Sequence, residues 1–513
     1  MMVLGDRRLT LEDCEAILFR EEPVELAPDA LRRVADNFQF LVHFSQNKLI
    51  YGISTGFGPM AQYRIGPEDQ RQLQHNLIRS HASGAGNVFS PLLARAVLLA
   101  RLKSLLKGYS GIHPDTLVLL QVFLNRGISP CIYEHGGVGA SGDLVQLAHL
   151  ALNLLGEGEV LVNGEAQAAA GVFKQFGLSP LAIHIREGLA IINGTSAMTG
   201  VGLVNLILAR KLVNWMTVFS AMTNEIMGAF DDHFSPELNR VKAHRGQNRV
   251  AAAMTHILAG SRLIRKRPEH LYNNQIEAEV LDDKVQEYYS LRCVPQILGP
   301  VLDTLLQAEQ VVLDELDSVS DNPVVDHVRQ DIYHGGNFHG DYVALEMDKL
   351  KIAVTKLSML AERQLNFLLN DRLNQKLPPF INMGRLGLNL GLQGMQFTAT
   401  STAAENQTLA YPMYVHSIPN NNDNQDIVSM GCNAALMTRK VIENSFEVLA
   451  IQAIAITQAI GYLKNVKHLS DMSQQIYREL GALFQVSADD RPRYREIASV
   501  RKFLQSSNIN LFP

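Results

Sequence analysis

Residues 135–143 read His-Gly-Gly-Val-Gly-Ala-Ser-Gly-Asp, and the interpretation of the whole chain depends on this stretch. Its small residues allow the backbone to turn tightly. Gly137, Gly139 and Gly142 also match the G-x-G-x-x-G spacing of a dinucleotide-binding turn, which requires a strand before it and a helix after it. The alternative is a purely structural role, in which the segment is a glycine-rich turn that precedes a helix. The segment alone does not separate these possibilities.

The composition is that of an ordinary globular enzyme. Of the 513 residues, 47% are apolar and 19% are charged, and the formal net charge is −5. A slightly acidic chain has no general attraction for nucleic acid, so no such partner is expected. The 16 histidines form no H-E-x-x-H motif and the cysteines no C-x-x-C motif, so no metal is expected either.

The spacing of the cysteines and the apolar segments indicate in which cellular compartment the protein is expected. The four cysteines lie far apart in the sequence, which argues against a disulfide framework and favours a reduced cytoplasm. The N-terminus lacks the pattern of a secretory signal. The apolar run Phe446–Leu463 is interrupted by one glutamate and two glutamines, so it predicts a buried core helix rather than a membrane span. We therefore expect a cytoplasmic protein without a membrane partner. The cysteines are Cys14, Cys131, Cys293 and Cys432.

The pattern of apolar residues along the chain changes near residue 196. Before it, short apolar pieces such as Lys48–Ile53 and Glu159–Val162 are bounded by Gly, Asn and Pro and predict short strands. After it, long segments with helical spacing predict a bundle. We predict a mixed α/β domain over residues 1–195 and a long-helix bundle with a helical C-terminal region over 196–513. The predicted long helices are Met198–Phe230, Pro300–Ser318, Ala344–Leu373 and Ala434–Leu463.

Two loops between the predicted helices are rich in Asn, Gln, His and Gly. They read HGGNFHGDY (334–342) and HSIPNNNDNQDIVSMG (416–431). Such loops can be simple turns, since Asn and Gly tolerate left-handed backbone. Two of them among long helices favour the lining of a pocket. The same helical context argues against the dinucleotide interpretation of 137–142, because no further alternation of strands and helices follows.

The chain resembles the aromatic amino acid ammonia-lyases, the family of histidine, tyrosine and phenylalanine ammonia-lyases, and most closely their short bacterial members. The resemblance covers nearly the whole length, and it rests on eight motifs that occur in the family's order. These motifs are YGISTGFG (51–58), SHASGAG (80–86), GGVGASGDL (136–144), INGT (192–195), YYSLRCVPQ (288–296), SDNP (320–323), GGNFHG (335–340) and NQDIVSMG (424–431).

The resemblance implies a fold and a cofactor. The fold would be mainly α, a long central helical bundle of the aspartase/fumarase-like superfamily, with a mixed α/β N-terminal region that carries the reactive loop. Ala140, Ser141 and Gly142 would cyclise with loss of two waters into 4-methylidene-imidazol-5-one (MIO), and no metal or nucleotide is expected. Small residues suit this step, because bulk would obstruct ring closure.

The resemblance also implies roles for individual residues. Tyr51 would remove the substrate's β-proton, and Arg292 would bind its carboxylate through a bidentate pair. Tyr289 matches the tyrosine beside MIO, and Asn193 the asparagine that hydrogen-bonds the MIO oxygen. Asn322 could equally be a helix-capping residue. The remaining matches to the cofactor-binding and substrate-binding positions are Gln286, Phe338, Gly58, Asn421, Asn424 and Gln425.

Substrate choice depends on a polar pair, Ser80-His81, which is usual in histidine enzymes and occurs in some tyrosine enzymes. The hydrogen-bonding groups of Ser80 and His81 would have no partner on a phenyl ring, so phenylalanine is disfavoured as a substrate. Asp426 stands where histidine enzymes have a glutamate that serves the imidazole. The combination favours L-tyrosine, converted to trans-p-coumarate and ammonia, with histidine as the alternative and an MIO-dependent aminomutase as a less favoured one.

Two further expectations come from the resemblance. Ser54 replaces the asparagine usual in the YGxNTGFG motif, which leaves the order of the tyrosine loop open. A homotetramer with shared active sites is expected, because family members build each pocket from several subunits.

Overall fold

The computed structural model describes residues 1–272, 279–281 and 284–512. Helices dominate this part of the chain, and several run for more than 20 residues. The helices are α1 (Leu11–Phe19), α2 (Pro28–Phe44), α3 (Gln70–His81), α4 (Pro91–Leu105), α5 (Pro114–Asn125), α6 (Leu144–Leu154), α7 (Ala169–Phe176), α8 (Glu187–Ile192), α9 (Ser196–Met227), α10 (Pro236–Asn239), α11 (Arg245–Ile257), α12 (Tyr289–Arg292), α13 (Val294–Leu316), α14 (Asp341–Leu369), α15 (Asp371–Asn374), α16 (Gln393–Leu409), α17 (Gly431–Leu463), α18 (Asp471–Gly481) and α19 (Tyr494–Ser506).

The described strands are short and form only two- and three-stranded sheets. One pair is parallel, β1 with β2, and the other pairings are antiparallel: β3 with β5, β6 with β4 and β7, and β8 with β9. The prediction of a mainly α fold with long helices is therefore confirmed. The strands are β1 (Met2–Leu4), β2 (Val24–Leu26), β3 (Ala85–Val88), β4 (Ser129–Pro130), β5 (Tyr133–His135), β6 (Glu159–Val162), β7 (Glu165–Ala168), β8 (Val324–Asp326) and β9 (Asp331–Tyr333).

The long helices occur where the apolar spacing predicts them, but their ends differ. Helix α9 ends at Met227 because Gly228 adopts a left-handed backbone with φ +67°. Helix α13 begins six residues before the predicted start and contains Pro300 in its interior; the prediction placed this proline in the first turn, its preferred position. Helix α14 ends at Leu369 because Asn370 leaves the helical conformation and caps α15.

One predicted strand is wrong. Residues 48–50 have no regular structure and residues 51–53 form a turn, whereas Glu159–Val162 is strand β6 as predicted. The cause is local: the Ile50 carbonyl accepts hydrogen bonds from the N–H groups of Ile53 and Ser54, both at 3.1 Å. Backbone groups committed to a turn cannot pair with a neighbouring strand.

The chain forms two compact units, each assembled from three segments. The first comprises Met1–Ile207, Gln307–Asp348 and Pro412–Arg439, and the second comprises Leu208–Leu306, Lys349–Tyr411 and Lys440–Pro513. The domain division predicted between residues 195 and 196 stays a prediction.

Two helices in the described part of the chain, α9 and α17, are long and apolar enough to cross a membrane by composition alone. Their most apolar windows are 94% and 78% buried inside the protein, which is the environment expected of core helices. The expectation that Phe446–Leu463 is a core helix agrees with this burial.

Three helices of the first unit determine where its polar loops meet. Helices α3, α6 and α8 pack against one another. Helix α3 ends at His81, α6 begins directly after the stretch 135–143, and α8 ends just before Asn193. The three helix ends thereby carry the Ser80-His81 pair, the Ala-Ser-Gly tripeptide and the INGT motif.

Candidate active site

A cavity of about 730 Å³ in the first unit brings together most of the predicted site residues. They come from segments that lie up to several hundred residues apart in the sequence. Ala140 and Gly142 flank the lining residue Ser141 in the chain. The predicted residues that line the cavity are Tyr51, Gly58, Ser80, His81, Ser141, Asn193, Asn322, Phe338, Asn421, Asn424 and Gln425.

Two side-chain amides hold the central residue of the tripeptide. Asn193 Nδ2 donates to the carbonyl oxygen of Ser141 at 3.1 Å, and Gln425 Nε2 donates to Ser141 Oγ at 2.8 Å. Ala140 is buried, whereas Ser141 is half-buried and reaches the cavity. An amide donor fixed at a carbonyl oxygen stabilises negative charge that develops there. The arrangement therefore suits chemistry at the 140–142 backbone.

Two glycines of the stretch are required by close approach of neighbouring chain segments. Gly142 has φ +74°, and a Cβ atom there would lie 2.1 Å from the Gly194 carbonyl oxygen. Gly139 has φ +73°, and a Cβ atom there would lie 2.0 Å from Ser429 Oγ. Both distances are far below contact, and both backbone conformations favour glycine. The glycines thus serve a tight turn against neighbouring protein segments.

A buried carboxyl group follows the tripeptide directly. Asp143 directly precedes helix α6, and its fully buried carboxyl group lies at the first turn of helix α9, where it accepts a hydrogen bond from Met198 N–H at 2.8 Å. Burial raises the pKa of Asp143 to about 7, against the opposing effects of the Met198 and Ala197 N–H groups and of Arg101. The guanidinium of Arg101 is itself fully buried and donates to the Asn193 carbonyl oxygen at 2.9 Å.

Tyr51 presents its phenol oxygen to a backbone donor. Gly58 N–H donates to this oxygen at 3.0 Å, and the Tyr51 ring meets Phe57 edge-on with 6.1 Å between centroids. Gly58 has φ +52°, and a Cβ atom there would lie 2.8 Å from Asn421 Nδ2. The Gly58 N–H therefore fixes the position of the Tyr51 phenol oxygen at the cavity wall.

Ser54 closes the turn that carries Tyr51. Its hydroxyl accepts from Ile50 N–H at 3.0 Å and donates to the Lys48 carbonyl oxygen at 2.8 Å. One hydroxyl therefore satisfies backbone groups on the N-terminal side of Tyr51. The sequence left open whether the loop that carries Tyr51 is ordered without the usual asparagine. The two hydrogen bonds of the Ser54 hydroxyl hold this loop in place.

The polar pair at the end of α3 has a defined proton arrangement. His81 Nδ1 lies 2.9 Å from the Leu77 carbonyl oxygen and 3.0 Å from Ser80 Oγ, and the Ser80 hydroxyl donates to the same carbonyl at 3.1 Å. A carbonyl oxygen only accepts, so Nδ1 of His81 carries the proton. In the neutral ring Nε2 is then the acceptor, and His81 is one of the residues that line the cavity.

The amide-rich loop 416–431 is both a turn and a wall of the cavity. Asn421, Asn422 and Asp423 all have positive φ, between +51° and +55°, which Asn and Asp tolerate better than most residues. Asn421, Asn422, Asn424 and Gln425 line the cavity.

Asn322 does not cap a helix. Strand β8 follows it, and its side-chain oxygen accepts from Gly335 N–H at 2.8 Å. Its backbone N–H donates to Asn193 Oδ1 at 2.9 Å, so it ties the SDNP turn to the INGT motif.

Three predicted residues are not on this cavity. Gln286, Tyr289 and Arg292 belong to the second unit, where Gln286 and Tyr289 line a separate cavity of about 530 Å³. Tyr289 is 69% exposed, and the Arg292 guanidinium lies 4.7 Å from the centroid of its ring. Asp426 is exposed and is not among the residues that line the first cavity.

Several lining residues were missed by the sequence interpretation although a signal was present. Helix α3 contributes five residues at the spacing of one helical face, so the apolar stripe leading up to the polar pair could have identified them. This face comprises Leu73, Asn76, Leu77, Ser80 and His81. Asn422 also lines the cavity and belongs to the amide-rich loop that was predicted to do so, whereas no local pattern marks Tyr63 and Leu189.

Comparison with known proteins gives relatives along nearly the whole chain. A family model described as "Aromatic amino acid lyase" matches residues 9–482. A tyrosine 2,3-aminomutase from Myxococcus sp. (strain Mx-B0) is 41% identical over 501 residues, covering 96% of this chain and 95% of that protein. A histidine ammonia-lyase from Shouchella clausii (strain KSM-K16) is 37% identical over 507 residues, covering 99% and 98%. The crystal structure of tyrosine aminomutase from Streptomyces globisporus matches with a TM-score of 0.94 at 34% identity, covering 98% and 96%.

The Ser54 hydroxyl gives a first prediction. Ser54→Ala leaves the Ile50 N–H without its partner, so we expect the free energy of unfolding to fall by about 1–3 kcal/mol. Ser45→Ala is the matched control, because the Ser45 hydroxyl makes one long hydrogen bond of 3.4 Å at the end of α2. Denaturant unfolding of both variants measures the difference. Equal stability of the two variants would show that the Ser54 bridge does not hold the turn.

Asp143 gives a prediction of pH dependence. Its folded pKa of about 7 lies above the ordinary 3.8, so between these values the folded state binds more protons than the unfolded state. The contribution of this carboxyl group to the free energy of unfolding is therefore fully present below about pH 4 and is lost as the pH rises through 7. Its slope is at most about 1.4 kcal/mol per pH unit. Asp143→Asn should remove this slope from the unfolding free energy, while Asp29→Asn, at a side chain that is 90% exposed, should not. Parallel curves for wild type and Asp143→Asn would contradict the assignment.

Proposed function

Since the chain belongs to the aromatic amino acid lyase family, we propose that it eliminates ammonia from L-tyrosine to give trans-p-coumarate. The observation that carries this proposal is the His81 arrangement: an acceptor nitrogen is presented to a cavity that also contains the reactive tripeptide and Tyr51. We also propose that the enzyme is cytoplasmic, which its four free cysteines support.

The residues around the tripeptide fit formation of MIO. Cyclisation of the Gly142 nitrogen onto the Ala140 carbonyl needs a tight turn, which the positive φ of +74° at Gly142 accommodates, and Ser141 has the hydroxyl that is lost. Asn193 donates to the oxygen of Ser141 that the finished group would retain. When formed, MIO supplies the electrophile that makes the substrate amine a better leaving group.

Tyr51 is proposed as the base. Tyr51 lines the cavity, and the Gly58 N–H holds its phenol oxygen in place to accept the substrate's β-proton. Phe338 and the amides of Asn421 and Asn424 line the same space, where they would position the aromatic ring and the polar groups of the substrate.

The acceptor on His81 explains the substrate choice. The phenol O–H of tyrosine donates to such an acceptor, whereas phenylalanine has no donor and would leave Nε2 desolvated and unpaired. An imidazole N–H could also donate, but Asp426, the acidic residue that would serve it, is not among the described residues that line the cavity. Tyrosine is therefore favoured over histidine.

The carboxylate-binding residues are proposed to come from another copy of the chain. Gln286, Tyr289 and Arg292 lie in the second unit and do not line the first unit's cavity. In a homotetramer with shared sites, they would complete the cavity of a neighbouring subunit. Arg292 would then bind the substrate carboxylate through two parallel hydrogen bonds.

A second candidate is tyrosine 2,3-aminomutase activity. It is favoured by the 41% identity to such an enzyme over 96% of the chain. The two reactions share loss of the amine from C2 and of a proton from C3. In the aminomutase the amine then adds to C3 and a proton to C2, which gives β-tyrosine without net release of ammonia.

Purified full-length protein supplied separately with L-tyrosine, L-histidine and L-phenylalanine tests the proposal. We expect the highest kcat/KM for tyrosine, with ammonia and p-coumarate formed in equal amounts. A higher kcat/KM for histidine would overturn the substrate assignment. Chromatography that shows β-tyrosine as the main product would replace the lyase with the aminomutase.

Substitution of His81 tests the acceptor directly. His81→Leu removes the partner of the phenol, so kcat/KM for tyrosine should fall by about 10- to 100-fold, equivalent to about 1.4–2.8 kcal/mol. The value for phenylalanine should rise. His75→Leu is the control, since His75 lies on the same helix but does not line the cavity. Equal losses for both substrates in His81→Leu would contradict the role.

A further inference from the structure

A fully buried ion pair lies beneath the site, on residues that have no part in the proposed chemistry. Arg186 Nη2 donates to Asp321 Oδ1 at 2.9 Å and Nη1 to Asp321 Oδ2 at 3.1 Å, and both side chains are completely buried. The same guanidinium donates to the carbonyl oxygens of Pro323, at 2.8 Å, and of Ser110. It therefore holds the SDNP turn from both sides of Asn322.

The backbone of Arg186 is held in an unfavourable conformation. Its φ of +68° lies in the left-handed region, which costs a residue with a side chain on the order of 1–2 kcal/mol. The next residue maintains this conformation: the buried Glu187 carboxylate accepts from His184 N–H at 2.6 Å, His113 N–H at 2.8 Å and the Thr116 hydroxyl at 2.9 Å. Strain that the surroundings maintain in this way is concentrated at functional sites.

Hydrogen bonds connect this pair to the tripeptide. The Asn322 N–H donates to Asp321 Oδ1 at 2.7 Å and to Asn193 Oδ1 at 2.9 Å. Because Asn193 Oδ1 is occupied as an acceptor, its amide cannot flip, and Nδ2 must face Ser141, whose carbonyl oxygen it reaches at 3.1 Å. The position of the SDNP turn therefore determines which end of the Asn193 amide meets the tripeptide.

Stability alone does not account for this pair. Buried ion pairs are on average no more stabilising than apolar residues of the same volume, because removing two charges from water costs about as much as their attraction returns. The geometric consequence is specific, since an apolar pair could fill the volume but could not bond the carbonyl oxygens of Pro323 and Ser110 or accept the Asn322 N–H.

We propose that Arg186 is a positioning residue: through Asp321 and Asn322 it orients the Asn193 amide toward the Ser141 carbonyl. Loss of this orientation would remove the donor at the oxygen where charge develops. The inference rests on the proposed function, because it assigns Asn193 its role in an MIO-dependent reaction.

The test replaces the pair with apolar residues of similar size. Arg186→Met combined with Asp321→Leu leaves no unpaired buried charge and should fold with a Tm near that of wild type. We expect incomplete loss of two waters from the tripeptide by intact mass, or a fall in kcat of at least about tenfold with little change in KM. A folded double variant with wild-type dehydration and kcat would overturn the inference.

Two further variants keep the outcome decisive. Arg95→Met is the control, because Arg95 is also buried but donates only to the carbonyls of Ile17 and Leu124, which take no part in the site; it should keep full dehydration and kcat. If the double variant does not fold, Arg186→Lys retains the charge without the bidentate contact. A lowered kcat with unchanged KM supports the inference, and an unchanged kcat overturns it. A folded wild-type chain without dehydration would instead refute the proposed function.

Discussion

The close backbone approach between Gly142 and Gly194 is the constraint on which the site depends. Asp143 N–H donates to the Gly194 carbonyl oxygen at 2.8 Å, and a Cβ atom on Gly142 would lie 2.1 Å from that same oxygen. A methyl group there would push apart the segment that carries Ser141 and the segment that carries Asn193. Glycine is therefore required at this position by the neighbouring backbone, whatever the chemistry of the tripeptide.

The groups beneath this contact determine the electrostatics of the site. Burial lowers the pKa of Arg101 to about 10 and raises that of Asp143 to about 7, so desolvation disfavours both charged forms. Arg186 and Asp321 are likewise buried, but each guanidinium Nη donates to one carboxylate oxygen of its partner, which offsets part of the cost of burying two charges. Such a region is costly to fold, and the apolar helices of the core provide the compensating burial. What the buried charges contribute is the orientation of the loops above them.

The long helices could be predicted from the sequence because their apolar stripes are continuous. In α14 the apolar residues Leu350, Val354 and Leu357 recur at helical spacing, and all three are fully buried. The predicted strand over Lys48–Ile53 was wrong because one hydroxyl, on Ser54, commits the local backbone to a turn. The spacing of apolar residues in the sequence contains no information about such a hydrogen bond.

The candidate site was predicted by resemblance rather than by local pattern. Most of its residues meet in one cavity only because α3, α6 and α8 pack together, which is a tertiary event. For the same reason, the placement of Tyr289 and Arg292 in the second unit could not be read from their sequence neighbours. The orientation of the Asn193 amide could not be predicted from the sequence either, because it depends on Asn322, which lies 129 residues away in the chain.

Intact-mass measurement of the purified chain tests the central claim most directly, namely that Ala140, Ser141 and Gly142 become the reactive electrophile of this site. The account predicts that the wild-type chain is lighter than its sequence by two water molecules, and that peptide mapping assigns the loss to residues 140–142. Ser141→Ala, which lacks the hydroxyl, should have its full sequence mass. A folded wild-type chain with the full mass would contradict the account.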